Sequence, residues 1–188
     1  MKLRYFLMVA ALVALAACGN KKEQQQLRQQ IEEKQALLSM VDIASEDQEA
    51  TDLVQLYVKY ADEFPSDSIV PIYLMRAADM SGNMGDTDEA IEYLDRIIED
   101  YSDFEDIAMC YFLKGHFYEL AGSYDDARAA YNAYLELFPD HYLAADTRKM
   151  LPNVGLSSEE LFNLLMQQAN DSNIAAASET AVASGKKQ

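Results

Sequence analysis

The chain has 188 residues, half of them hydrophobic, which is typical of a single domain of moderate size with a packed core. Acidic side chains outnumber basic ones by 32 to 15, and the formal net charge is −17. The electrostatic field of this negative charge repels nucleic acid and anionic lipid headgroups. We therefore expect no nucleic-acid partner and predict neutral or basic protein partners.

The first residues have the order of a secretory signal peptide. Lys2 and Arg4 precede an apolar run over residues 5–17, which is shorter than the about 20 residues of a membrane-spanning helix. The run closes on residues 15–18 (Leu-Ala-Ala-Cys), which resemble the lipobox of bacterial lipoproteins. The resemblance implies a signal peptide over 1–17, cleavage before Cys18 and lipid attachment to that thiol. An ordinary secretory signal with a chance cysteine is the alternative.

The lipobox resemblance also implies a compartment. Lipoproteins of this kind carry more than one acyl chain, and two or more chains give a stable membrane anchor. Gly19 follows the cysteine at the place where an aspartate is the inner-membrane retention signal of enterobacteria. We therefore expect a lipid-anchored protein of the bacterial cell envelope, at the outer membrane, with the face of the membrane left open.

Residues 18–45 are expected to hold the lipidated amino terminus and either a tether or a first helix. Apolar positions in this segment alternate spacings of four and three, as in a coiled coil. The members of this seam are Leu27, Ile31, Lys34, Leu38 and Val41. The seam lasts about two heptads and contains a lysine, so we favour a helix packed on the first repeat, or a partly ordered tether, over oligomerisation.

Aromatic residues recur at a fixed interval in the middle of the chain. Phe64, Tyr101 and Phe138 are each 37 residues apart, and a period of this size indicates stacked repeats. Before each marker, apolar side chains recur at i, i+3, i+4 and i+7, which is one face of a helix. These positions are Leu53, Leu56, Tyr57 and Tyr60, then Ala90, Tyr93, Leu94 and Ile97, then Ala127, Ala130, Tyr131 and Tyr134. The pattern predicts a helix that ends near each marker.

A second helix is predicted after each of the first two markers. Residues 73–77 and 111–115 match in size and charge at an offset of 38, and each segment ends on a small residue that lets two helices approach. Glycines follow both segments, at 82–85 and at 122, and are predicted to end these helices.

The residues of the second unit resemble tetratricopeptide repeats. Its aromatic, small and proline positions are Tyr111, Gly115, Tyr118, Gly122, Tyr124, Ala127, Tyr131 and Pro139. Residues 138–144 resemble more narrowly the units of envelope lipoproteins and periplasmic proteins such as the BamD and CpoB families. The sequence departs from the family in carrying Arg76 and Lys114 at apolar positions and in exceeding the usual period of about 34 residues. Over residues 50–151 the resemblance implies an all-α fold.

We predict a short α-solenoid of about three antiparallel helix pairs, with a domain over residues 46–168 and a C-terminal capping helix. Ser157 stands three residues before Glu160, a capping box that starts this closing helix, and repeat stacks need such a cover for their apolar end. Residues 169–188 are rich in Ala, Ser and Asn, have little apolar bulk and are predicted to be a disordered tail.

The chain lacks the residue spacings of known catalytic motifs, so we predict no enzyme, no catalytic residue and no cofactor. His116 and Glu119 share a helix face, but two ligands do not make a zinc site, and no metal is expected. Acidic clusters at 86–89 and 103–106 fall at helix starts, where carboxylates favourably meet the helix dipole. Cys110 lies in an apolar stretch and is predicted to be a buried thiol.

The tetratricopeptide resemblance implies a partner groove lined by the first helix of each pair. In this sequence the groove positions are Leu74, Ala78, Met109, Phe112, His116 and Glu119. Arg76 and Lys114 are interpreted as pairing with Asp79 or Glu119, and a clamp for a partner's carboxylate is the alternative.

The function predicted from these observations is a membrane-anchored, non-enzymatic interaction module for an envelope protein or peptide. By analogy with the resembling families, its role lies in outer-membrane assembly or wall maintenance. A carbohydrate-binding accessory lipoprotein, suggested by the twelve tyrosines, is the first alternative. A helical wall-cleaving enzyme is the second, and it requires one catalytic acid in a deep cleft.

Overall fold

A computed structural model describes residues 2–39 and 46–185, with side chains over 20–39 and 48–171. The described residues form helices and contain no β-strand. The helices are α1 (Lys2–Leu38), α2 (Glu46–Glu63), α3 (Val70–Met84), α4 (Thr87–Asp100), α5 (Ile107–Leu120), α6 (Tyr124–Leu137), α7 (Ala144–Met150) and α8 (Ser158–Gly185). Within the same residues, no helix combines the length and apolar character that crossing a membrane requires.

Each helix from α1 to α6 packs against the next one along the chain. The connections between α2 and α7 are short, and short connections place neighbouring helices antiparallel. The result is a solenoid of stacked helix pairs, so the predicted all-α, tetratricopeptide-like fold class is confirmed.

The backbone has the same turn structure at each occurrence of the 37-residue period. In the turns after α2, α4 and α6, the amide nitrogens of Asp67, Phe104 and His141 donate to the carbonyl three residues earlier, at 3.0, 2.9 and 3.1 Å. We name these segments turn A (64–69), turn B (101–106) and turn C (138–143). Because consecutive helices alternate in direction, the three turns lie along one edge of the stack.

The aromatic residues of the repeat form its core. Four tyrosines are almost fully buried, two on α2 and two on α6, namely Tyr57, Tyr60, Tyr131 and Tyr134. Between them, α4 buries Ala90, Ile91, Leu94 and Ile97 on a single face. The predicted helix faces are therefore the ones that pack.

Two glycines allow helices to approach each other closely. A Cβ atom on Gly82 would lie 2.1 Å from the ring of Phe117, and one on Gly115 would lie 2.6 Å from the ring of Tyr131. Gly115 matches the prediction for a small residue at a helix contact. Gly82 was expected to help end α3, but it lies inside the helix, which ends at Met84 before the left-handed Gly85 (φ 96°).

The N-terminal helix packs on the stack, as favoured from the sequence. Leu27 and Ile31 are buried in the same core cluster as α2. The lysine of the seam, Lys34, forms ion pairs with Glu49 and Asp52 of α2, so its charge is neutralised across this contact. Val41, the last seam position, lies outside the described residues.

The C-terminal segment differs from the prediction of a disordered tail over 169–188. The backbone continues α8 to Gly185, and residues 186–188 lie outside the description. Little apolar bulk means little burial, but it does not prevent a helix, because alanine has the highest helix propensity and Ala175, Ala176 and Ala177 follow one another.

The end of the stack is covered by α7 and the segment that follows it. Ala144 of α7 is buried against Tyr134, and Val154 is buried against Ala127 and Tyr131. The capping box of α8 forms as predicted, because the Ser157 amide donates to Glu160 at 2.8 Å and the Glu160 amide donates back at 3.2 Å. Large apolar side chains of α8 nevertheless stay exposed, so α7 and the segment after it, rather than α8, close the stack.

Candidate interaction surfaces

The predicted groove residues on α3 are not available to a partner. Leu74 and Ala78 are fully buried in the cluster of apolar residues from α1 to α5, which we name the main core cluster. The reason is that α3 packs between α2 and α4, while Gly82 also lets Phe117 of α5 lie directly on it. The assignment of these two residues to a groove is therefore wrong.

Phe112 contributes to packing within the second repeat. Its ring lies 5.6 Å from that of Tyr131 and 5.7 Å from that of Tyr134, so both of these ring contacts are with α6. Met109, which lies on α5 like Phe112, is half-buried. Only part of either side chain is accessible to a partner.

His116 and Glu119 are the predicted groove residues with the most accessible polar groups. His116 is exposed, with its ring beside Phe117 at 5.7 Å. Glu119 is half-buried and accepts a hydrogen bond from the Tyr131 hydroxyl at 3.2 Å. Burial, together with the Glu119 charge, raises the pKa of Tyr131 above its ordinary value, so the tyrosine stays a donor.

The two basic residues at matching repeat positions behave differently from each other and from the prediction. Lys114 pairs with Asp95 of α4 and lies 5.8 Å over the Tyr118 ring. Arg76 is exposed, and within the described residues no carboxylate lies within ion-pair distance of it. The predicted partners, Asp79 and Glu119, are wrong for Lys114 because the neighbouring helix offers a closer carboxylate.

Cys110 is fully buried in the main core cluster, as predicted. Burial is the main reason that the pKa of its thiol rises to about 12, so the thiolate is not formed at neutral pH. Cys18 belongs to α1, and its side chain lies outside the described ones.

The described side chains contain no group of three or more His, Cys, Asp or Glu residues placed to hold a metal ion. Four of the tyrosines that suggested sugar stacking are the core residues described above. Tyr124 and Tyr142 are exposed, but Tyr124 begins α6 and Tyr142 lies in turn C beyond the other end of this helix, so they do not form one platform.

Turn A is fixed by a polar network that the sequence analysis missed. One carboxylate oxygen of Asp67 accepts hydrogen bonds from the Tyr60 hydroxyl at 2.6 Å, from Arg28 at 2.6 Å and from Gln24. Burial works to raise the pKa of Asp67, but the bonds from Tyr60, the Ile69 amide and Arg28 outweigh it, and its pKa lies below the ordinary value. The network ties α1 to the first repeat.

The same repeat position holds a different pair in turn C. The Tyr134 hydroxyl lies 2.5 Å from Nδ1 of His141, and their rings meet edge to face. Tyr60 and Tyr134 are two periods apart, as are Asp67 and His141. The sequence does show the pattern behind these two contacts, because a tyrosine stands seven residues before Asp67 and another stands seven residues before His141.

A groove lies between turn A and turn B, with a volume of about 620 Å³. Its apolar lining comes from Pro65, Pro71, Ile72, Tyr101 and Phe104. The Tyr101 hydroxyl donates to the Pro65 carbonyl at 2.8 Å, which holds the two turns together. The acidic residues of the groove are Asp67, Asp100, Asp103 and Glu105, and no lysine or arginine lines it.

Comparison with known proteins gives one family. Residues 77–142 match the tetratricopeptide repeat family. The matched segment begins within α3 and ends in turn C, so it contains all of α4, α5 and α6. No curated protein sequence matches the chain. The family match and the stacked helix pairs together support a tetratricopeptide-repeat protein.

Proposed function

We propose that this protein is a membrane-anchored, non-enzymatic interaction module of the bacterial cell envelope. The observation that carries the proposal is the family match over residues 77–142 on a stack of helix pairs. Stacked repeats bury a continuous core and leave extended surfaces on which a protein partner is bound. By analogy with the resembling lipoprotein families, the partner belongs to outer-membrane assembly or wall maintenance.

The proposed anchor is a lipid on Cys18. Its support is the order of basic residues, apolar run and Leu-Ala-Ala-Cys segment at the start of the chain. Cys18 lies ten positions before Arg28, through which α1 docks on Asp67 of turn A. An acylated Cys18 would therefore hold the repeats close to the membrane surface at the edge that contains turn A.

Metabolic labelling tests the anchor. Wild-type protein from cells grown with a labelled fatty acid is expected to carry the label and to sediment with membranes. The Cys18→Ser variant is expected to lose both properties. Cys110→Ser is the matched control, because its thiol is buried and should not be acylated. Label on Cys18→Ser, or none on the wild type, contradicts the proposed anchor.

Cross-linking in cells tests the interaction module. His116 is the most exposed of the groove positions, so His116→Asp should lower recovery of a specific envelope protein without changing the fold. Asn132→Asp on the exposed side of α6 adds the same charge and is the matched control. Equal recovery from the wild type and both variants contradicts a partner on this face of α5.

A further inference from the structure

We propose that the groove between turn A and turn B binds an arginine or lysine side chain, flanked by apolar residues, of a protein partner. This inference rests on the proposed function as an interaction module, and it does not depend on the lipid anchor. It adds a second binding surface, at the turn edge of the stack, and states the chemistry of what binds there.

The groove is preformed by the fold. The turns on its two sides have the same backbone hydrogen bonds, and the bond from Tyr101 to the Pro65 carbonyl fixes their spacing. Tyr101 and Phe104 also pack against the main core cluster, so the apolar floor is anchored. Its volume of about 620 Å³ lies within the usual range of about 300–1,000 Å³ for binding sites.

Unpaired carboxylates surround this floor. Asp100, Asp103 and Glu105 have no lysine or arginine within ion-pair distance among the described residues. Some carboxylates elsewhere on the stack do have a basic partner on a neighbouring helix. Examples are Asp62 with Arg96, Asp95 with Lys114, and Asp52 with Lys34.

Charge complementarity selects the occupant. An apolar floor with an acidic rim matches a long side chain that has an aliphatic stem and a cationic end. A second copy of the chain is disfavoured by the net charge of −17. A metal ion is disfavoured because no described cluster has a ligand arrangement for one.

Asp67 is the exception among the four acids of the groove. Arg28, Gln24 and Tyr60 already use one of its carboxylate oxygens, and the Ile69 amide donates to the other at 3.2 Å. The recognition charge therefore comes from Asp100 at the end of α4 and from turn B, where Asp103 accepts only a bond from Ser102 at 3.2 Å. This difference makes Asp103 and Glu105 the residues to test.

The test is fluorescence anisotropy with the full chain in a nonionic detergent. The probes are labelled peptides of sequence Ala-Leu-Arg-Leu-Ala, the same peptide with lysine at the centre, and the same peptide with glutamine there. We expect the two cationic peptides to bind and the glutamine peptide to bind at least fivefold more weakly. Added salt should weaken the binding of the two cationic peptides, because it screens their attraction to the carboxylates.

Paired variants locate the binding. The double variant Asp103→Asn with Glu105→Gln should weaken the arginine peptide about fivefold, as expected for two partly exposed ion pairs. Asp126→Asn with Glu136→Gln on α6 makes the same charge change at exposed positions away from the groove, and should change affinity less than twofold.

Three results would overturn the inference. One is equal binding of the arginine and glutamine peptides, and another is an equal loss in both double variants. The third is no binding of any peptide up to its solubility limit. None of these results bears on the His116-dependent recovery of an envelope partner, so failure here and failure of the proposed function are distinguishable.

Discussion

The helix stack and the C-terminal helix α8 form for different reasons. In the stack, large aromatic residues such as Tyr57, Tyr60 and Tyr131 are almost fully buried between helices. In α8, Phe162, Leu165 and Met166 are 61%, 55% and 57% exposed. Packing therefore sets the structure of the repeats, whereas a capping box and helix propensity set that of α8.

A second contrast lies within the stack itself. Turn A and turn C have the same backbone, but the tyrosine before turn A belongs to a charged network, whereas the matching tyrosine before turn C bonds to a histidine. At the matching place in turn B, Ile97 and Phe104 belong to one apolar cluster. The repeat thus specifies the turn, while the side chains that hold it are free to vary.

The largest expected effect is at the contact between α3 and α5. Gly82→Ala places a methyl group against the Phe117 ring, which is 2% exposed and cannot move aside. We expect a loss of about 3 kcal/mol in the free energy of unfolding, from overpacking. Urea unfolding measures it. Asn83→Ala, at the exposed neighbouring position, should change stability by less than about 0.5 kcal/mol. Equal stability of the two variants would show that the helices do not approach as described.

A smaller effect is expected at turn A. Tyr60→Phe removes a hydroxyl that donates to Asp67 and accepts from Arg28 at 2.7 Å. The remaining groups stay partly paired, so we expect a loss of about 1–2 kcal/mol. Tyr134→Phe removes the tyrosine–histidine bond at the matching position of turn C and should cost about 1 kcal/mol or less. A larger loss at Tyr134 than at Tyr60 would reverse the contrast between the two turns.

The pH dependence of stability sharpens the same contrast. The pKa of Asp67 is lowered in the folded state, so its contribution is fully present above the unfolded value of about 3.9 and is lost as the pH falls through the folded pKa. The free energy of unfolding, measured between about pH 5 and 2, should therefore fall less steeply with decreasing pH in Asp67→Asn than in the wild type. Asp79→Asn, an exposed acid on α3, should keep the wild-type slope. Identical slopes in all three proteins would refute this role of Asp67.

The sequence predicted the stack well because the stack is periodic. The 37-residue spacing located the three turns, and the helical spacing of apolar residues located the buried tyrosines. The partner groove on α3 and α5 was predicted less well, since the place of a residue in the repeat does not reveal how many helices surround that residue. Ala78 and His116 were assigned to the same surface, yet one is fully buried and the other is exposed.

Polar contacts between residues far apart in the chain were also not predicted from the sequence. Lys114 pairs with Asp95 on another helix, and Asp67 is held by Arg28, 39 positions earlier. Local spacing favours partners three or four residues away, as with Asp79 or Glu119, because only those neighbours are fixed by the helix itself. The partners of these charges depend on which helices pack together.

The smallest expected effect is at α8. The double variant Phe162→Ser with Leu165→Ser removes two large apolar side chains that are more than half exposed, so the stack loses almost no buried surface. We expect the unfolding free energy of the stack to change by less than about 0.5 kcal/mol. Thermal unfolding followed by tyrosine fluorescence measures the stack, because the buried tyrosines lie there. Ala127→Ser and Val154→Ser remove apolar contacts from the covered end and should each destabilise the protein measurably. If the α8 variant lost as much stability as these two, α8 would have to pack on the stack, and the division between the two regions would not hold.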